Sequence, residues 1–237
     1  GLPCLPVNQT HLPTHEKWDS YLVSPVKMTL GLRAYRTLAA SADPLFRLSL
    51  KRRTLQGKED PDRVTEKQGF ASAARPAAPL VWLHGASVGE SLSMLPLIES
   101  LSEARPDLRF LVTTGTLTSA ELMAERLPAS ACHQFVPLDH PTYWDRFFAR
   151  WRPDLAVIIE SELWPNMIMG SRTQNIPLVL ANARLSEKSA KGWGRVGRSI
   201  ELLLSSFDLV LAQDERSASR LRALGADPVE TPGNLKF

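Results

Sequence analysis

The chain has 237 residues, 43% of them hydrophobic, and a formal net charge of +3. That suffices for one large or two small domains with a sizeable core. It lacks the overall basicity and aromatic interleaving of a nucleic-acid binder. Cys4 and Cys132 stand far apart in unlike contexts, which argues against a zinc site or a disulfide framework. No run of about 18 uninterrupted apolar residues marks a membrane-spanning helix, and no secretory signal is visible.

Residues 1–27 are rich in proline and without period, and are expected to form a disordered leader. Residues 28–57 carry apolar side chains at helical spacing (Leu30, Leu32, Tyr35, Leu38, then Leu45, Phe46, Leu48, Leu50), with a break near Pro44. From Arg33 to Lys58 there are seven Lys/Arg and one acid, Asp43. A basic amphipathic stretch of this kind suits an anionic membrane surface. A pair of helices packed on the domain with a solvated basic face fits equally well. Residues 58–79 read as a short helix followed by an Ala/Pro/Ser linker. Asp60-Pro61-Asp62 has the spacing of a metal-binding pair but lies outside any strand-to-helix turn, so no metal site is assigned there.

From Leu80 to Phe237 the pattern alternates. Strands are predicted at 80–84, 109–113, 133–136, 155–159, 178–181, 208–212 and 229–231. Helices are predicted between them at 88–103, 118–127, 141–151, 163–174, 196–205 and 215–224. Such alternation implies right-handed crossovers and an α/β fold, a Rossmann-like parallel sheet flanked by helices. Gly192, Gly194 and Gly197 form a G-x-G-x-x-G, but no strand immediately precedes it, so it is not read as a dinucleotide loop. Leu185 to Arg198 sets Lys188, Lys191, Arg195 and Arg198 among glycines, a composition that fits either a phosphate receptor or a solvated helix face.

Polar groups recur just past the carboxyl ends of the predicted strands, where open α/β sheets bind ligands. Glu90 follows the first strand, Thr113 to Thr116 the second, Glu160-Ser161-Glu162 the fourth, and Asn182, Arg184 and Ser186 the fifth. Glu90 falls in the first turn of a helix, where the dipole favours a carboxylate. It could take a proton from a hydroxyl. It could equally close a capping box with Ser87 three residues earlier.

Five blocks carry a resemblance: His84-Gly-Ala-Ser-Val-Gly-Glu90, Thr113-Thr-Gly-Thr116, Glu160-Ser-Glu-Leu-Trp-Pro-Asn166, Ala181-Asn-Ala-Arg-Leu-Ser186 and Gly233-Asn-Leu-Lys-Phe237. In this order and spacing they resemble the amino-terminal half of 3-deoxy-D-manno-octulosonic acid (Kdo) transferase, an inverting glycosyltransferase that adds Kdo from CMP-Kdo to a lipid A precursor. The resemblance implies the acceptor-binding first half of a GT-B fold, acting at the cytoplasmic face of a bacterial inner membrane in lipopolysaccharide biosynthesis. It implies Glu90 as general base, with Ser87, Glu160, Asn182 and Arg184 lining the acceptor site, and no metal or cofactor. CMP-Kdo would be held by a second domain outside this chain, so the chain alone is expected not to transfer sugar. The alternatives are a non-catalytic membrane-surface binding module, or another GT-B sugar-nucleotide enzyme.

Overall fold

The computed structural model describes residues 28–234. The leader expected over 1–27 lies outside the described residues, as does the end of the Gly233–Phe237 block. Among the described residues, seven strands form one sheet: β1 (Leu80–His84), β2 (Arg109–Thr114), β3 (Ala131–Phe135), β4 (Leu155–Ile159), β5 (Leu178–Ala183), β6 (Leu209–Ala212) and β7 (Val229–Glu230). Every pairing is parallel, in the order β3-β2-β1-β4-β5-β6-β7. The chain builds outward from β1 to β3, then returns to β1's other side with β4. The gap between β1 and β4 is therefore the topological switch point, where a crevice opens beyond the strand ends.

The helices are α1 (Leu30–Ser41), α2 (Asp43–Leu55), α3 (Val88–Ala104), α4 (Leu117–Arg126), α5 (Pro141–Trp151), α6 (Pro165–Thr173), α7 (Glu187–Gly194), α8 (Arg198–Leu204) and α9 (Glu215–Ala223). Successive residues of a strand point to opposite faces, and β1 is buried on both. Leu80 and Trp82 join one core with Trp144, Phe147 and Phe148 of α5, Met167 and Ile168 of α6, and Leu203 of α8. Val81 and Leu83 join the other with Met94 and Ile98 of α3 and Met123 of α4. A strand covered on both faces must be apolar throughout, which is why Leu80–Leu83 shows no alternation.

The helix starts follow from capping side chains. Thr29, Ser87, Thr116, Ser186 and Asp214 each accept a hydrogen bond from a backbone N–H of the first turn they precede. The stretch 185–198 fitted either a phosphate receptor or a solvated helix face, and residues 187–194 form α7. Its Ser186 cap, the Glu187–Lys191 pair at 2.7 Å and the packing of Ala190 and Trp193 on the core together outweigh the cost of Gly192 and Gly194.

Residues 58–79 hold a single 3-10 helix, Val64–Gln68, that clasps the sheet's β3 edge. Buried Glu66 accepts from the Phe135 backbone N–H at 2.7 Å and from Arg63 at 2.9 Å. Buried Lys67 pairs with Glu59 at 2.7 Å and donates to the Gly115 carbonyl at 2.8 Å. Charges this deep persist only as paired groups, so the segment is fixed to the domain rather than being a loose linker.

Candidate functional site

The block after β1 builds the first wall of the crevice. Ser87 caps α3, and its hydroxyl accepts from the Glu90 N–H at 3.3 Å. The Glu90 carboxylate folds back to accept from the Ser87 hydroxyl and from the Ala86 N–H, both at 2.7 Å. This is a capping-box variant, with the Ala86 N–H in place of the cap residue's own N–H. Glu90 is 8% exposed, and it packs over Gly85, where an added Cβ would stand 2.9 Å from the Glu90 Cβ. Gly85 thus provides the space that lets this carboxylate lie at the strand end.

The second wall comes from β4 and β5. Glu160 has φ 62° and Asn182 has φ 53°, both in the left-handed region that non-glycine residues seldom adopt. They lie at the carboxyl ends of adjacent, hydrogen-bonded strands, with the Glu160 N–H donating to the Ala181 carbonyl at 2.9 Å. Asn182 is buried within a register irregularity of β5 against β6. Such strain persists where surrounding structure enforces it, and it concentrates at functional sites. The Ser161 hydroxyl donates to the Arg184 carbonyl and ties the two strand ends together, while the Arg184 side chain is exposed.

Glu162 joins the walls. Burial pushes its carboxyl above the usual carboxylate range, and the charges of Glu90 and Glu160 push it the same way, against a hydrogen bond from Trp164. β1 and β4 are paired neighbours, so Glu90, Glu160 and Glu162 follow adjacent strand ends on one rim, at the switch point. Of the residues expected to line the site, Ser87, Glu90, Glu160 and Asn182 fall on the ends of β1, β4 and β5, and Arg184 follows β5 at the surface. Glu162 was visible in the sequence two residues past Glu160 but was not singled out.

Two further groups border the rim. His84 is fully buried, and burial drops its pKa to about 4. Its Nδ1 lies 3.0 Å from the Thr113 hydroxyl, its ring packs edge-on against Trp164 at 5.5 Å, and its Nε2 meets no partner among the described residues. Past Trp164 and Pro165 lies an apolar cavity of about 720 Å³, walled by Leu32 and Tyr35 of α1, Phe46 of α2, Trp193 of α7 and Leu203 of α8. Neither the cavity nor the ring contact follows from residue spacing. Among the described residues no group of three or more His, Cys, Asp or Glu is placed to hold a metal, and no helix is long and apolar enough to cross a membrane.

A parallel α/β sheet flanked by helices, with carboxylates following the strand ends at its switch point, defines a Rossmann-like unit. Residues 62–237 match the family model for 3-deoxy-D-manno-octulosonic-acid transferase (kdotransferase). The chain belongs to that family. It is 39% identical over 217 residues to a probable mitochondrial 3-deoxy-D-manno-octulosonic acid transferase of Arabidopsis thaliana, covering 89% of this chain and 48% of that protein. It is 37% identical to the transferase of Rickettsia bellii (87% and 49% covered) and 33% identical to that of Haemophilus influenzae (86% and 48%). The chain spans about half the length of the curated relatives it matches. Among solved structures it is similar to a UDP-GlcNAc 2-epimerase from Neisseria meningitidis bound to UDP-GlcNAc, with a TM-score of 0.49 and 15% identity, covering 67% of this chain and 47% of that one.

Proposed function

We propose that this chain is the acceptor half of an inverting Kdo transferase, working in lipopolysaccharide biosynthesis at the cytoplasmic face of the inner membrane. The donor CMP-Kdo is held by a second Rossmann-like domain that completes a GT-B fold. The acceptor is a hydroxyl of a lipid A precursor. Glu90 takes the hydroxyl proton as the acceptor oxygen attacks the anomeric carbon of Kdo. The bond from that carbon to the CMP phosphate oxygen breaks, and CMP leaves with the bonding pair. Glu160, Asn182, Ser87 and Arg184 position the acceptor, and no metal or cofactor takes part.

The single observation that carries this reading is the placement of Glu90. Its carboxylate is fixed by two donors, Ala86 N–H and Ser87 hydroxyl, on the same rim as Glu160 and Glu162. A carboxylate has about four lone-pair positions, so the capping contacts leave room for a hydroxyl. The reaction needs a base within about 3 Å of that hydroxyl, and a base whose rotamer is already set needs no reorganisation. The test is transfer by the full-length protein, comparing CMP-Kdo with UDP-sugars as donor and a lipid A precursor as acceptor. Product formed from CMP-Kdo alone is expected; turnover of UDP-sugars in its place would overturn the reading.

A further inference from the structure

The apolar cavity beside the carboxylate rim has features that the proposed chemistry does not use. Its wall residues carry few polar atoms, and the hydroxyls and the carboxylate among them are already hydrogen-bonded. The Tyr35 hydroxyl donates to Asp139 at 2.9 Å, and the Ser199 hydroxyl lies 2.7 Å from that of Thr29. Asp139 is further saturated by the Trp144 indole N–H at 2.9 Å and by the backbone N–H groups of Asn166 at 3.2 Å and Met167 at 3.1 Å. A sugar or nucleotide placed there would lose its hydrogen bonds to water and find few in return, which is costly. An aliphatic chain would lose nothing, and about 720 Å³ lies within the range of about 300–1,000 Å³ typical of small-molecule sites.

Three neighbours say what kind of chain. One wall of the cavity is α1, and the α1–α2 pair exposes Leu30, Leu38, Leu45, Leu48 and Leu55 to solvent, interleaved with exposed Arg33, Arg47, Lys51, Arg52 and Arg53. An apolar and cationic face of that kind complements an anionic lipid surface. Another wall is α7, whose Trp193 lines the cavity while its Lys188, its Lys191 (paired with Glu187 at 2.7 Å) and neighbouring Arg195 line a second cavity of about 640 Å³ with Glu187. The floor is Trp164-Pro165, two residues beyond Glu162. An aliphatic slot therefore has the apolar and cationic α1–α2 pair on one side, the α7 cations nearby, and a Trp164-Pro165 wall that follows Glu162 in the chain.

We propose that this cavity receives one acyl chain of the acceptor lipid, with the anionic part of its head group on the α7 cations. The assignment rests on the reading above that the acceptor is an acylated, anionic lipid. Val196 sits half-exposed at the cavity wall, so Val196→Trp fills the slot without disturbing the core. In the full-length enzyme this variant should raise KM for the acylated acceptor about tenfold, the effect of expelling a few buried methylenes. KM for the fully deacylated acceptor, and kcat for both, should stay unchanged. An unchanged KM for the acylated acceptor, or an equal rise for both acceptors, overturns the proposal. A second measurement is independent of turnover. Micelles of a phosphatidylglycerol with brominated acyl chains should quench tryptophan fluorescence in the wild type, and Trp193→Phe should remove a large share of that quenching. Quenching absent from the wild type, or unaltered by Trp193→Phe, overturns the proposal. Quenching as expected with no Kdo transfer to any acceptor retires the transferase reading and leaves the acyl-chain slot standing. If the wild type sediments as a dimer that Val196→Trp dissociates, with KM unaltered, the slot belongs to a second copy and the proposal falls.

Discussion

Replacing Glu90 by Gln separates its capping role from its proposed role as base. The carboxylate accepts from Ala86 N–H and Ser87 hydroxyl at 2.7 Å each, and Ser87 accepts from the Glu90 N–H. Gln has the same shape and also serves at this position of a capping box. What it loses is the charge assistance in those two bonds, which roughly halves each, a cost of about 1 kcal/mol. Ser87→Ala removes the cap hydroxyl, at a typical cost of about 1 kcal/mol. Neither change threatens a fold stable by about 5–15 kcal/mol. The two variants should therefore unfold at similar urea concentrations, slightly below the wild type. Their activities should differ. Loss of a general base costs about 100- to 10,000-fold in rate, about 3–5 kcal/mol of barrier. Loss of the cap leaves the carboxylate in place, still held by Ala86 N–H, and at saturating acceptor, where a lost Ser87 contact to the acceptor shows in KM, should cost less than about tenfold in kcat. The assay is initial-rate Kdo transfer by the full-length protein at saturating acceptor, with urea unfolding in parallel. Glu90→Gln within about tenfold of wild type, or Ser87→Ala as slow as Glu90→Gln, would refute the reasoning, because Glu90 would then act only through the fold.

Burial drops the pKa of His84 from 6.5 to about 4 and, with help from the Arg63 guanidinium, that of His133 to about 3. The unfolded chain binds these protons first, so stability is full above about pH 6.5 and is lost as pH falls toward the folded values. At about 1.4 kcal/mol for each tenfold, the His84 part is on the order of 3 kcal/mol. Urea unfolding at pH 7.5 and 4.5 should show the loss, and His84→Asn should shrink the difference; an undiminished difference assigns it elsewhere. Glu162 has the opposite sign. Its raised pKa means that its contribution is present below the ordinary carboxylate value and is lost as pH rises through the folded value. Glu162→Gln should therefore be stabilising at pH 7.5 and neutral at pH 3.5, and a destabilised variant at pH 7.5 would show that the three carboxylates do not repel. Vesicles of anionic lipid should retain the chain at low salt and release it at high salt, since exposed charges are screened within about 10 Å at 0.1 M. Leu48→Glu with Leu55→Glu, both exposed, should abolish retention without changing unfolding; retention by the double variant would mean that α1–α2 is a solvated face.

The sheet was readable because burial on both faces writes strands as short apolar runs. The runs predicted at 80–84 and 155–159 coincide with β1 and β4. β3 begins two residues earlier than expected, at Ala131, because its first three residues sit only half-buried at the sheet edge and carry little apolar signal. β5 runs on through Asn182 to Ala183 because an irregularity absorbs a polar residue that pattern alone reads as the strand's end. For α7 the sequence left a phosphate receptor and a helix face open, and its cap and its packing on the core decided for helix. Capping residues sit next to what they cap, so Ser87 and Glu90 could be paired from the sequence. The coupling of Glu162 to Glu90 joins residues 72 positions apart, and no local pattern encodes that.

Capping box and base were rival readings of Glu90 in the sequence; in the structure they describe one arrangement. A proton acceptor is effective when its position is set before the substrate arrives. Glutamate has three side-chain torsions to fix, and on a loop each would be loose. Here the helix start does the fixing: Ser87 sets where α3 begins, the α3 backbone sets where Glu90 stands, and Ala86 and Ser87 hold its oxygens. Gly85 keeps the strand end clear beneath it. On the facing strands the same end is reached at a cost in backbone strain, with Glu160 and Asn182 both left-handed. One side of the crevice is therefore ordered by a contact that also stabilises the helix, and the other by strain that the fold must offset. The left-handed backbone of Glu160 and Asn182 is a second feature of the rim on which Glu90 sits, and it supports the proposed site whichever hydroxyl the acceptor presents.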